Sequence, residues 1–388
     1  MTNEATESRI TLALWTLLFG NFIIGTGVLL PAGLLNQLST ELNIDVATAG
    51  LLMLAGGVVV GVGAPILATL TTRVDRRLLL VLAMALYAVG HLASAFTNAF
   101  WPLLIIRVLM ISAAGIFSPQ AAATVSLLLP VERRASAISF IFIGWSVASV
   151  AGIPLGSYLG AALGWRSVFM IMAALSILSG LAVWFTVRPG LYGKPLDMAS
   201  WKTVFSSPAL LCVLLVTLLS MSGQFTVFGY LAPILKQVTA ATPAQISLAF
   251  FVAGLSGVIG NTIGSNMVRH VAVDRVIGMA LLSLCAGFLV FGLMFGNYWG
   301  SIVGLALWGF GTFSSNSLQQ SRLVGLAPAL ASATVALNTS AVYLGQAMGA
   351  GAGGALIKNG ATVTSAWVAL TFLVLSLAAS LFATRLKV

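Results

Sequence analysis

Apolar residues run along this chain in twelve stretches, near residues 11–36, 47–71, 78–98, 101–128, 136–162, 166–187, 209–235, 244–268, 275–295, 299–321, 331–357 and 363–384, parted by short polar segments. A helix that crosses a bilayer needs about 20 mostly apolar residues. Each stretch therefore predicts one spanning α-helix, and the short connections predict antiparallel neighbours. The longest polar break, RPGLYGKPLDMASWKTVFSSP from Arg188 to Pro208, divides the chain into residues 1–187, a linker at 188–208, and residues 209–388. Inside the linker Met198, Trp201, Val204 and Phe205 share one helical face, the pattern of a short helix lying on a membrane surface.

The two parts repeat each other. Moved by 197 residues, Gly57 meets Gly254, Gly63 meets Gly260, Gly152 meets Gly349 and Gly156 meets Gly353; moved by 202, G27-V-L-L-P31 meets G229-Y-L-A-P233. These coincidences fall at matching helix ends, as a duplicated six-span unit requires. The expected fold is an all-α integral membrane protein with twelve transmembrane helices in two pseudo-symmetric six-helix bundles.

Composition agrees: 59% of the residues are hydrophobic, 7% are charged and the mean hydropathy is +1.07, against roughly 25% charged residues in soluble domains. The net charge of +10 does not point to nucleic acid. Counted over alternate loops, one side holds Arg9, Arg73, Arg76, Arg77, Arg133, Arg134, Arg188, Lys194, Lys202, Arg269, Arg275, Arg322, Arg385 and Lys387, and the other only Arg166, Lys236 and Lys358. Basic loops stay cytoplasmic, which predicts cytoplasmic termini and an even number of spans. Glu4 and Glu7 precede the first apolar run without a small-residue cleavage site, unlike a signal peptide. Cys212 and Cys285 lie within apolar runs, as packing residues.

Twelve spans in two halves around a basic central loop resemble the major facilitator superfamily. The blocks GAPILATLTTRVDRR (Gly63 to Arg77), PVERRASAI (Pro130 to Ile138) and LGWRSVF (Leu163 to Phe169) are similar to the drug:proton antiporter family with twelve spans, in its arabinose-efflux-permease-like branch. The resemblance implies a bacterial inner-membrane exporter that works by alternating access, with protons as the exchanged partner and no cofactor. It also implies roles for particular residues. Gly152, Pro154 and Gly156 match the glycine-rich fifth-span motif that packs the halves together, and Gly345, Gly349 and Gly353 repeat it in span eleven. Arg73, Asp75, Arg76 and Arg77 match in part the loop that latches one conformation.

Charge inside the membrane costs about 2.5–3.5 kcal/mol or more, so Arg107 stands out. It lies six residues after Trp101, roughly 9 Å below the rim at 1.5 Å per residue, and matches the family's fourth-span arginine. The acid expected beside it is missing: Val28 stands where the family has a glutamate, and all eight acids fall in tails or loops. His91 is the one candidate for a titrating group within a span. Stepping along the faces of spans one, four, seven and ten gives Asn21, Arg107, Met110, Tyr230, Trp308 and Asn316 as candidate substrate contacts.

The absence of HExxH, of a cysteine cluster and of an intramembrane acid pair argues against an enzyme. The expected function is export of small amphipathic compounds (drugs, sugars or metabolites) by a monomer surrounded by lipid. The missing carboxylates keep open an uncoupled facilitator of a neutral or anionic metabolite, with a membrane receptor behind it.

Overall fold

The computed structural model describes residues 3–71, 73–192, 198–268 and 270–386, and every regular element among them is helical. The first half comprises α1 (Asn3–Glu41), α2 (Val46–Leu70), α3 (Arg76–Ala95), α4 (Phe100–Leu128), α5 (Val131–Val147), α6 (Ile153–Leu163) and α7 (Trp165–Thr186). A short α8 (Met198–Phe205) lies in the linker, where the helix at Met198 to Phe205 was expected. The second half comprises α9 (Pro208–Phe228), α10 (Leu231–Thr239), α11 (Pro243–Met267), α12 (Val273–Leu293), α13 (Tyr298–Leu326), α14 (Ala331–Lys358) and α15 (Thr364–Ala383). α5 runs into α6 through a π-helical turn at Ala148–Gly152 and forms one span; α9 and α10, interrupted at Gly229 and Tyr230, form another. Two sets of six spans result.

The short polar segments between helices act as caps. Asp45 accepts from the Thr48 N–H at 2.8 Å, Asp75 from Leu78, Asn297 from Gly300, and Thr242 with Gln245 forms a reciprocal box. Each satisfies donors that the first turn of a helix leaves bare. Outward faces are apolar: Leu70, Phe96, Phe185 and Leu293 are among the most exposed side chains. That inversion suits a hydrocarbon surround.

Among the described residues ten helical segments are long and apolar enough to cross a membrane by length and composition. α13 and α14, with 29 and 28 residues, fall outside that set because of their polar content. The polar side chains point inward: Ser314, Ser315, Gln319, Asn338 and Ser340 are buried.

The glycine stripes pack helices within each half. Cβ atoms at Gly152, Gly156 and Gly160 would meet Thr26, Leu30 and Leu34 of α1, and at Gly345, Gly349 and Gly353 would meet α9 and Tyr230. The expectation that these stripes join the halves is corrected here. Their close approach seats α6 on α1 and α14 on α9, as small-xxx-small stripes do. The halves meet instead through α2 on α14 and α11 on the π-turn and α6. A Cβ at Gly57 would stand 2.6 Å from the Tyr343 carbonyl oxygen, and one at Gly254 would stand 2.6 Å from that of Ser149. These two glycines are one of the four pairs matched by the 197-residue shift.

Candidate functional site

In an α-helix each carbonyl accepts from the N–H four residues on, and proline has none to give. Pro31 inside α1 therefore leaves the Gly27 carbonyl without its helical donor. Arg107 of α4 fills the gap: Nη1 donates to Gly27 O and Nη2 to Val28 O, both at 2.8 Å. Gly27 is needed there because the Tyr87 hydroxyl and the His91 Nε2 crowd the space that a Cβ would enter. Tyr87 in turn donates to Ile24 O at 3.2 Å. The spans thus bring Arg107, His91, Tyr87 and the backbone of Val28 into one cluster. The Arg107 side chain is buried on α1 rather than open to a cavity. His91 is fully buried, its ring edge-on to Tyr87 at 4.7 Å, and neither ring nitrogen has a hydrogen-bond partner.

The second half has the same Gly-x-x-x-Pro at Gly229 and Pro233, and here the helix breaks between α9 and α10. The one arginine of α13, Arg322, lies toward its other end and pairs with Asp274 at 2.9 Å. Span one is splinted and span seven is hinged. Tyr230, at the break, donates to Ala350 O at 2.9 Å, and its ring fills a notch left by Gly50, Gly353 and Gly354. It closes the seam between the halves at the end opposite the chain termini. Ser247 Oγ donates to Pro154 O at 2.9 Å along the same end. Asp45 caps α2 there, and the Thr48 hydroxyl and N–H hold its carboxyl below the usual range.

A second polar cluster lies within the second half. Thr217, Ser220, Ser315, Asn316 and Gln319 surround a cavity of about 10 Å³, room for about one water. Both amide atoms of Gln319 and the Oε1 of Gln224 are buried without partners, although Gln224 Nε2 donates to Ser220 at 3.1 Å. Thr217 donates to Asn338 at 2.9 Å. Unpaired buried amides are costly, and the space beside these has room for a single water or one polar group of a ligand. Asn316 falls in this set, beside Gln319, Gln224, Thr217 and Asn338, which no motif or spacing in the sequence marks out.

The other candidates lie apart. Asn21 donates to Ile141 O at 3.1 Å and accepts from Ser118 at 2.7 Å, tying α1 to α4 and α5. Met110 packs on Gly90 of α3. Trp308 packs at a tilt of 36° against Phe228, ring centroids 4.9 Å apart, with its indole N–H unpartnered. In the loop before α3, Asp75 accepts from the N–H groups of Gly190 at 2.5 Å and Leu191 at 3.2 Å, which pins the start of the linker. Arg76 is buried on Gln120, Arg77 stacks 4.0 Å over Trp184, and Arg73 is exposed. Among the described residues no acid lies deep in a span, and no group of His, Cys, Asp and Glu could hold a metal.

The model of the Major Facilitator Superfamily matches residues 17–350. The inner membrane transport protein YdhP of Escherichia coli (strain K12) is 30% identical over 352 residues, covering 91% of this chain and 90% of that protein. The probable sugar efflux transporter of Helicobacter pylori (strain G27) is 29% identical over 330 residues, covering 85% of this chain and 84% of that one. The crystal structure of a D-xylose-proton symporter superposes with a TM-score of 0.79 at 15% identity, covering 98% of each chain.

Proposed function

This chain belongs to the Major Facilitator Superfamily, and we propose that it exports small amphipathic compounds (drugs, sugars or metabolites) in exchange for protons. It is a multi-pass membrane transporter and not an enzyme. In the proposed cycle residues 1–187 and 209–388 act as two bodies on the linker 188–208, which rock so that the space between them opens to each face in turn. The chain works as a monomer in a bacterial inner membrane with both termini in the cytoplasm.

The observation that carries this reading is the glycine seam. Gly57 rests on the backbone of Tyr343 and Gly254 on that of Ser149. Bare glycine against a carbonyl leaves no interlocked side chain to disengage when the halves part. The acid-free cluster of Ser315, Asn316 and Gln319 supports an uncharged, hydrogen-bonding cargo, and the relatives named for sugar efflux support outward movement.

A second reading, an uncoupled facilitator, is favoured by one observation. No described acid lies deep in a span, and His91 is sealed among Tyr87 and Phe169. Proteoliposomes separate the two. Uphill movement of a sugar or an amphipathic drug that collapses with an imposed pH gradient supports exchange, and downhill movement indifferent to it supports the facilitator. Failure to move any such compound sinks both.

A further inference from the structure

At the end opposite the chain termini, a cleft of about 340 Å³ lies across the junction of the halves. Asn36 and Val46 line it from the first half, and Pro233, Ile234, Lys236, Gln237 and Ile357 from the second. Val46, Pro233, Ile234 and Ile357 make an apolar floor, the amides of Asn36 and Gln237 border it, and the exposed Lys236 supplies the one charge of the lining.

That ammonium has no partner. Among the described residues Lys236 makes no hydrogen bond and no ion pair. Two acids belong to this end: Glu41 is offset by Arg166, and Asp45, charged and held by Thr48, makes no ion pair with Lys236. Glu41 pairs with Arg166 and accepts from the Trp165 indole at 3.0 Å, while the two oxygens of Asp45 take the Thr48 N–H at 2.8 Å and its hydroxyl at 2.7 Å. The Asn36 side-chain amide also faces the cleft without a hydrogen bond. The complement of such a site is one negative charge on a compact apolar body. Its volume sits at the small end of the roughly 300–1,000 Å³ range of small-molecule sites, which fits a free ligand rather than a whole lipid.

Because both halves supply walls, the cleft exists only while this end is shut. Lys236, Pro233 and Ile234 belong to α10, which starts next to Tyr230 and its bond to Ala350. A ligand that binds one conformation shifts the population toward it. We propose that this cleft binds a small monoanionic amphiphile from the adjacent solution, and that its occupancy holds this end closed and slows transport.

The test uses 2-naphthalenesulfonate, whose charge is permanent, with the purified full-length protein in discs of neutral lipid. Equilibrium dialysis should show saturable binding. It should be at least about tenfold weaker in Lys236→Gln and for neutral 2-naphthalenemethanol, because a charge-assisted bond is lost. Gly57→Leu, which props the seam apart, should also weaken it. The probe should raise the melting temperature of the wild type and leave Lys236→Gln unmoved, a reading that serves if Gly57→Leu does not fold. Absence of saturable binding, equal binding by Lys236→Gln, or equal binding by the neutral analogue overturns the proposal. Displacement of the probe by phosphatidylglycerol in the disc reassigns the cleft to a lipid headgroup and overturns it as well. No transported substrate is needed, so the result is independent of the export reading.

Discussion

Arg107 and Pro31 are complementary: the guanidinium supplies, at 2.8 Å, the hydrogen bond to Gly27 O that the imino acid cannot. A side chain expected to meet substrate is a backbone splint. Arg107→Ala should leave the buried Gly27 carbonyl without a donor, at about 1–3 kcal/mol, and take a second bond from Val28 O, so both melting temperature and transport should fall. Pro31→Ala restores the missing N–H. The double variant Pro31→Ala with Arg107→Ala should recover part of the lost stability, a coupling that a thermal double-mutant cycle measures directly. Strict additivity of the two changes would remove the splint.

The glycines divide into two classes with different readouts. Gly57→Ala and Gly254→Ala press a methyl on the other half's backbone, at 2.6 Å in each case. Each should slow transport severalfold while the protein stays folded. Gly152→Ala presses on Thr26 within one half and should lower the melting temperature instead, since overpacking costs about 1–3 kcal/mol. Melting curves run beside transport assays on all three variants decide the matter.

Gln319→Leu tests the polar cluster. Replacing an amide whose two polar atoms have no partners by an apolar group of similar size should leave stability unchanged or raise it. Export of a hydrogen-bonding substrate should drop by about tenfold or more. A variant that loses stability instead would make the amide structural.

Val28→Glu places a carboxylate next to the Arg107 clasp, at a buried position. Burial raises a carboxyl's affinity for protons and a neighbouring guanidinium lowers it, which gives span one a titrating group beside a fixed positive charge. Uphill transport in vesicles should become more dependent on the pH gradient than in the wild type, while His91→Ala should leave that dependence as it is.

Much of the architecture was legible in the residues. Spans of about 20 apolar residues can do little else in a bilayer, and the charged loops set their order. The glycine matches found Gly57 and Gly254, but periodicity cannot tell which neighbour a bare face will meet, so the stripes on spans five and eleven were read as the contact between halves. Arg107 was legible as unusual and illegible as a splint, because its partners are backbone carbonyls 79 and 80 residues away. Gln319 was not legible, because what marks it is the want of partners for both buried amide atoms, which only the packing decides.

The splint in α1 and the hinge between α9 and α10 also bear on how the opposite face becomes exposed. The two halves are parallel repeats about an axis along the membrane normal, so span one and span seven present the same Gly-x-x-x-Pro to the same face. There span one is gripped at Gly27 by Arg107, while span seven is interrupted at Gly229 with no arginine of α13 beside it. Duplication made the two helices alike in motif, and a single arginine makes them unequal in stiffness, so bending at that face falls on the second half.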